Sequence, residues 1–375
     1  MRVLIVGAGL AGPCLAHGLL RHGHDVRLFE RDRAIDARAQ GYRIHINGDG
    51  DAALRTWLPA AAYDQSVATS CLATGGVSMT GPDLRDFTEI ALAPDAAGIT
   101  VDRLTLRRIM LRELTDSIRF GAGFRHYELL DDDTVRVHLS DGSTAEGDLL
   151  VAADGANSGI RRQLLPDFPV TVQDTLLIYG RTPLTDQVRD LTPEPALNGF
   201  LGVSGPNGRR LAPAAQRFRR SPADFALPAA DDYVMWSVAA PAAAYGPGLF
   251  GLGAAQLLTK AAGTVADWHP SLSALVRLAD LRYLVPASVQ ISERPALWPP
   301  APVTLVGDAA HPMAPAGISA GAALHDAGLL ASRLVSNAPL LDAVRSYERD
   351  MLDYGFAAVA AASRVVAGDA SAESA

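Results

Sequence analysis

Three groups of residues in this chain have the types and spacing to hold a phosphorylated, hydroxyl-rich ligand. The first is Gly7-Ala-Gly-Leu-Ala-Gly12, set between an apolar run, Arg2 to Val6, and an apolar helical pattern, Pro13 to Leu20. In such a turn Gly7 permits the sharp bend, Gly9 lets the backbone approach a pyrophosphate, and Gly12 allows helix and strand to pack closely. Glu30 ends the next strand pattern, Asp25 to Glu30, at the distance where a carboxylate takes ribose hydroxyls. The second group is Asp154-Gly155, in the run from Gly147 to Arg162, where a buried strand ends in Asp-Gly before a helix start. The third is Gly307-Asp308, after Val303 to Val306, where small residues, two prolines and two glycines lead into a helical pattern from Gly321 to Val335. A helix opening on glycines leaves backbone N–H groups at its positive end, where they can meet a phosphate or the electron-rich edge of a heterocycle. Asp308 is placed to accept hydrogen bonds from a polyol.

Positioning three such corners requires buried strands feeding short loops and helices, which makes the chain α/β with a Rossmann-like nucleotide-binding half. Between the corners the pattern changes. Gly41 to Asn47 alternates like an exposed strand with Arg43 and His45 on one face, and Asp49 to Trp57 reads as a helix. Gly76 to Thr80 and Asp86 to Ala91 read as a hairpin belonging to another sheet. Val101 to Leu114 has helical spacing with Arg103 near its start, where a cation opposes the helix dipole and suggests an anionic partner. Strands follow at Ile118 to Ala122, Phe124 to Leu130 and Thr134 to Leu139, with a turn at Asp141-Gly142. In the middle of the chain, Thr175 to Pro183, Ala196 to Val203, Asp232 to Ala240 and Leu281 to Ser292 read as strands, and Ala254 to Ala262 and Ser271 to Leu278 as helices. Arg209 to Arg220 reads as an arginine-rich loop, either solvated or a lid. The apolar strands suit a pocket for a hydrophobic molecule, with Tyr179, Arg181, Trp236 and Gln290 as candidates by strand position.

Composition bounds the function. The chain has 375 residues, 49% of them hydrophobic and 20% charged, and a formal charge of −8, which argues against nucleic acid or an anionic membrane as the main partner. Lys260 is the only lysine, so arginine carries less functional weight than usual. Cys14 and Cys71 form no metal pattern and read as reduced, buried thiols of a cytoplasmic protein. No signal peptide, membrane span, metal site or nucleophile triad is evident.

The ordered combination of Gly7-x-Gly-x-x-Gly12 with Glu30, Asp154-Gly155 with Ser158 and Arg161, and Gly307-Asp-Ala-Ala-His-Pro312 through Asp326-Ala327 resembles the FAD-dependent aromatic hydroxylases, or group A flavoprotein monooxygenases. The resemblance covers nearly the whole chain. It implies a Rossmann-like FAD-binding domain (residues 1–72, 98–170 and 295–375, ending in C-terminal helices) interleaved with an α+β substrate domain on a mostly antiparallel sheet (73–97 and 171–294). It implies noncovalent FAD held by Gly7, Gly9, Gly12, Glu30, Arg31, Arg103, Asp154, Gly155, Gly307 and Asp308, with Pro315, Gly317 and Ile318 beside the flavin ring. It further implies reduction by transient NAD(P)H and oxygen transfer from O2, through a flavin C4a-hydroperoxide, to an aromatic or polyketide-like substrate, in a monomer or homodimer. His311 belongs to the motif and reads as a packed or capping residue.

One departure from the family pattern concerns Pro315 to Asp326, which is one residue shorter than usual and carries Ser319 and Gly321 where glycine and asparagine are expected. That change leaves open an oxidation, cyclisation or rearrangement without oxygen insertion, or a non-catalytic FAD or ligand-binding protein.

Overall fold

The computed structural model describes residues 1–37, 41–72, 75–90, 98–131 and 133–367. Five strands form a wholly parallel sheet in the order Val303–Leu305, Leu149–Ala152, Arg2–Val6, Asp25–Glu30, Ile118–Phe120. Val303–Leu305, Leu149–Ala152 and Arg2–Val6 are largely apolar, as a parallel sheet covered on both faces requires, whereas Asp25–Glu30 exposes Asp25 and Arg27. Val3, Leu4 and Ile5 are fully buried, as are Leu149 to Ala152. The helix Ala11–Leu20 covers the sheet, and Ser319–Leu334 packs against both that helix and Gly48–Trp57. All three sequence corners, after Val6, after Ala152 and after Leu305, therefore lie side by side at the carboxyl ends of neighbouring strands, where open α/β sheets bind ligands.

A second, seven-stranded sheet runs Val285–Ser292, Val170–Pro183, Tyr233–Pro241, Arg210–Gln216, Phe200–Ser204, Val77–Thr80, Thr88–Ile90. It is antiparallel except where Phe200–Ser204 meets Val77–Thr80. This is the mixed architecture expected, a parallel nucleotide-type sheet beside a mostly antiparallel one. The strand at 77–80 pairs with Thr88–Ile90 as anticipated, while Ala91 lies outside the described residues. A small three-stranded sheet (Phe124–Leu129, Val135–Leu139, Thr144–Gly147) and a two-stranded one (Arg43–Asn47 with Gly98–Asp102) complete the described strands.

Several boundaries differ from the sequence reading. Residues 98–102 form a strand, and the helix begins only at Arg103, where Asp102 caps it by accepting from the Thr105 N–H at 2.8 Å. The β-branched Ile99, Thr100 and Val101 favour the strand, and the capping carboxylate sets the switch. Residues 194–198 are helical before the strand at Phe200, and Leu281–Tyr283 is a single 3₁₀ turn before Val285. The arginine-rich segment is a loop only in part: of its arginines Arg210 alone lies in a strand, while Arg209, Arg217, Arg219 and Arg220 lie outside it. Residues Arg210–Gln216 pair along their length with Tyr233–Pro241, and Arg209 is tied to Asp267 at 2.7 Å. The strand Arg43–Asn47 is not exposed either, since Arg43 and Ile46 are buried.

The last described helix, Leu340–Ala367, packs on Ser319–Leu334. It buries Glu348, whose Oε1 accepts from Trp298 Nε1 and Thr304 Oγ1, both at 3.0 Å. Burial pushes this carboxyl from 4.5 up to about 7. Between those values the folded protein holds a proton that the unfolded chain releases, so stability falls as pH rises through the window. Glu348→Gln, neutral throughout, should remove that slope and gain on the wild type by up to about 3 kcal/mol above pH 7. Urea midpoints at pH 4.5, 6 and 8 check this; parallel pH profiles for the two proteins would refute it. No helix among the described residues is long and apolar enough to cross a membrane.

Candidate cofactor and substrate site

The three corners open into one cavity of about 740 Å³. Its nucleotide end is lined by Gly7, Gly9, Glu30, Arg31, Arg103, Arg107, Asp154 and Gly155. Gly7 adopts φ +109°, and a Cβ there would lie 2.1 Å from the Ala153 carbonyl oxygen, so only glycine fits. Gly9 is the opposite case. A Cβ on it would meet nothing nearer than Arg103 Nη2 at 3.8 Å and would project into space that a ligand backbone could use. Gly12 does not line the cavity; its missing Cβ would strike the Gly7 carbonyl oxygen at 2.1 Å, which is the close helix-to-strand packing the motif requires.

Glu30 is held more firmly than the sequence suggested. Its Oε2 accepts from the Ala8 N–H at 3.0 Å and from Arg107 Nη2 at 3.1 Å, and its Oε1 accepts from the Asp32 N–H at 2.9 Å. Arg107 also donates to the carbonyls of Ala8 at 2.6 Å and Ile35 at 2.9 Å. The pair Arg107–Glu30 is a buried brace under the glycine loop, and sequence reasoning passed over Arg107. Its signal was an arginine on the buried face of an amphipathic helix, one turn past Arg103.

Asp154 and Asp308 face the middle of the cavity. Burial raises the Asp154 carboxyl, opposed by Ser158 and the Gly159 N–H, which donates to Oδ2 at 2.9 Å, while Oδ1 is buried without a hydrogen-bond partner. Asp308 is likewise raised by burial, with His311 and Arg103 pulling the other way. The unpartnered Asp154 oxygen is one that a ligand hydroxyl can satisfy. Arg161 joins the two corners through main-chain carbonyls, donating to Ala309 at 2.9 Å, Asp308 at 3.2 Å and Ala156 at 2.6 Å. Behind Asp308 the fully buried Asp326 accepts from the Gly307 N–H at 2.5 Å and meets His311 Nε2 at 2.7 Å. His311 is thus the packed residue expected. Burial, the largest single influence, lowers its pKa, but Asp326, Asp308 and a backbone hydrogen bond together raise it, for a net upward shift.

Pro315, Gly317, Ser319 and Ala320 line the cavity where the helix Ser319–Leu334 opens without a side-chain cap; Ile318 packs toward the core instead. The shortened segment thus still presents backbone to the cavity. The absence of a side chain at Gly321 has a local cause, since a Cβ there would lie 2.0 Å from Asn47 Oδ1.

The far end of the cavity is walled by Tyr42, Arg43, His45, Tyr179, Phe200, Ala212, Met235 and Ser237. Tyr42 and Tyr179 stack at 5.4 Å. Of the candidates read from strand position, Arg43, His45 and Tyr179 line the cavity, and Arg181, Trp236 and Gln290 do not. Trp236 is fully buried on the opposite face of the seven-stranded sheet, packed over Gly180 with its Nε1 donating to Thr182 Oγ1 at 3.0 Å. Strand alternation explains the miss: Met235 and Ser237 face the cavity and the residue between them cannot. Arg181 stacks on Tyr283, its Cζ 3.2 Å from the ring centroid, and lies 4.0 Å from Asp102 outside the lining. Gln290 also lies outside, donating to the cavity residue Asn157 at 2.8 Å.

Glycine approach at Gly9, a buried unsatisfied carboxyl oxygen at Asp154 and the cavity-lining arginines Arg31, Arg103 and Arg162 fit an extended dinucleotide. A profile of the NAD(P)-binding Rossmann-like domain matches residues 5–65. The dual O-methyltransferase/FAD-dependent monooxygenase of Phaeosphaeria nodorum is 34% identical over 380 residues, covering 90% of this chain and 40% of its own length. The crystal structure of an assigned FAD-containing monooxygenase from Photorhabdus luminescens superposes with a TM-score of 0.84 at 28% identity, covering 98% of this chain and 97% of that one. The chain is similar along about nine-tenths of its length to FAD-dependent monooxygenases. A further relative, 2-heptyl-3-hydroxy-4(1H)-quinolone synthase of Pseudomonas aeruginosa, is 29% identical over 353 residues, covering 88% of this chain and 80% of the relative. The chain spans less than half the length of its fungal dual-function relatives.

Proposed function

We propose that the chain is an FAD-dependent monooxygenase that uses NAD(P)H and O2 to hydroxylate or epoxidise a flat, hydrophobic, aromatic or polyketide-like molecule. The observation that carries this reading is a single cavity joining the phosphate loop to an aromatic-walled end. When bound, FAD accepts a hydride from NAD(P)H and activates O2 for transfer to the substrate.

The chain's own residues bind, orient and exclude water. Gly7 and Gly9 let the loop approach the pyrophosphate, Glu30 and Arg31 take the adenosine ribose side, and Arg103 offsets phosphate charge. Asp308 and Asp154 accept from polyol hydroxyls, Gly155 borders the same stretch, and the backbone from Pro315 to Ile318 flanks the ring. Residues 1–72, 98–170 and 295–375 act as the FAD domain, and 73–97 with 171–294 as the substrate domain. Tyr42, Tyr179, Phe200 and Met235 present an apolar wall that holds the substrate against the ring and keeps water out. Relatives that join an O-methyltransferase to the monooxygenase in one chain support a hydroxyl-bearing substrate. The free buried thiols Cys14 and Cys71 suit a cytoplasmic setting.

The test is anaerobic mixing of the FAD-loaded protein with NADH and NADPH, followed by ¹⁸O2 and a panel of hydroxylated polycyclic aromatics. Flavin bleaching, accelerated by the right substrate, and ¹⁸O in the product are expected. Turnover without label would replace this reading by oxidation or cyclisation without oxygen insertion, and failure of both nicotinamides to bleach the flavin would remove the electron source.

A further inference from the structure

Arg43 sits at the aromatic end of the cavity as a buried cation without a counter-charge. Its side chain lines the cavity, yet the residue is only 9% exposed. Its Nε is buried with no hydrogen-bond partner, and the guanidinium forms no ion pair among the described residues. Its polar company is the Cys71 thiol and the Tyr233 phenol. The carboxylate across the strand pair, Asp102, is directly opposite in register, but it is occupied elsewhere. Asp102 Oδ2 accepts from the Tyr233 hydroxyl at 2.8 Å and lies 4.0 Å from Arg181, while Oδ1 accepts from the Thr105 N–H. Burial pulls the Arg43 pKa down, though an arginine remains charged over the physiological range.

A guanidinium is an obligate cation with five donors in a planar fork, so leaving it buried and unpaired is costly. Retaining such a residue on a cavity wall makes sense when a ligand completes it. The surroundings specify that ligand. The fork suits two oxygens in one plane, or one ionised oxygen beside a carbonyl. Around it the wall is flat and apolar: the stacked pair Tyr42 and Tyr179, then Phe200 and Met235. His45, on the same strand face as Arg43, adds a polar edge on that side and contacts Thr100 Oγ1 at 3.2 Å.

The geometry points to Arg43 as the residue that selects a substrate carrying an anionic oxygen, either a carboxylate or an ionised phenol or enol, on a flat apolar body. This rests on the proposed function only for the word substrate, because the anion site is read from the cavity alone. Arg43 acts by binding and orientation, holding the anionic edge at the end of the cavity remote from the phosphate loop.

The test is equilibrium dialysis of the FAD-loaded protein against matched ligands. One arm uses 2-naphthoate against 2-naphthamide, and the other 2-hydroxy-1,4-naphthoquinone against its methyl ether, each pair sharing its ring system. The wild type should bind at least one anion about tenfold to a hundredfold more tightly than its neutral partner, as for a charged hydrogen-bonded contact. The arm that discriminates identifies the oxygen as carboxylate or ionised enol. Arg43→Met should abolish the preference while leaving neutral-ligand affinity and FAD content unchanged, and Arg43→Lys should keep part of it. Without ligand, Arg43→Met should melt no lower than the wild type, since it removes an unpaired buried charge. Equal affinity within both pairs for the wild type overturns the proposal, whatever the variant does. So does a preference that survives in Arg43→Met, or loss of FAD in that variant, which would assign Arg43 to the cofactor. Dialysis needs no turnover, so a protein that prefers anions yet incorporates no ¹⁸O would sink the monooxygenase reading and leave the anion site standing.

Discussion

Asp326→Ala is expected to cost about 3–5 kcal/mol of unfolding free energy, the loss typical of removing one member of a buried ion pair. The carboxylate is fully buried on the helix that closes over the parallel sheet. One of its oxygens receives both the Gly307 N–H and His311 Nε2, so the substitution orphans a backbone donor and a buried imidazole together. Because Gly307 turns the chain into Asp308 with φ +61°, the damage should extend to the cavity and reduce FAD retention. The pH dependence follows from His311. Burial lowers its folded pKa, but Asp326 together with Asp308 and a backbone hydrogen bond raises it above the ordinary 6.5, so the stabilisation is complete below 6.5 and is lost as pH rises through the folded value. Asp326→Asn, which can keep a neutral contact, should therefore lose most against the wild type at acid-neutral pH and least at alkaline pH. Urea unfolding of the three proteins at pH 6 and pH 9 measures this. A loss in Asp326→Ala no greater than that of an exposed control such as Asp231→Ala would mean that the pair carries no structural weight.

What the sequence revealed and what it hid divide along physical lines. The three corners were legible because each is a local pattern: an apolar run, then glycine and aspartate, then a helix start. Gly7 and Gly9 differ from ordinary turn glycines only through what lies opposite them, yet their spacing announced both the bend and the open approach. Long-range pairing was not legible. Whether Arg210–Gln216 was a loop or a strand depended on Tyr233–Pro241 lying beside it, 20-odd residues on, and a proline and several alanines in the segment concealed the answer. The face of a strand was equally hidden. Tyr179 and Trp236 are near neighbours across adjacent strands, but one looks into the cavity and the other into the core behind it. Asp102 was read as the second residue of a helix because the apolar spacing continued through it, whereas its side chain both caps that helix and anchors Tyr233. Arg43 shows the same limit in reverse. Its position on a polar-apolar alternation was visible, but its burial without a carboxylate depends on Tyr233 reaching Asp102 from 131 residues away.

Arg107→Met should have the other large effect, because it leaves the Glu30 carboxylate buried at 5% exposure without its cation. About 3–5 kcal/mol of stability is again the expected scale for breaking a buried pair by one member. The functional consequence differs from that of Asp326. Arg107 donates to the Ala8 carbonyl, and Glu30 accepts from the Ala8 N–H, so the pair grips both polar groups of the residue between Gly7 and Gly9. Losing the grip should let the glycine loop rearrange, and FAD should dissociate more readily than stability alone predicts. Glu30→Gln separates the roles. It keeps a hydrogen-bonding side chain while removing the negative charge, so the double variant Glu30→Gln with Arg107→Met no longer buries an unpaired ion. It should be more stable than Arg107→Met alone, with a coupling between the sites of about 0.5–3 kcal/mol, the range for residues in one network. FAD affinity should remain low in the double variant, because the Ala8 carbonyl still lacks the guanidinium. Denaturant midpoints and FAD titration by fluorescence give the two readouts on the same four proteins. Additive stability losses would show that Arg107 and Glu30 act independently, and full recovery of FAD affinity in the double variant would mean that charge, not the grip on Ala8, governs the loop.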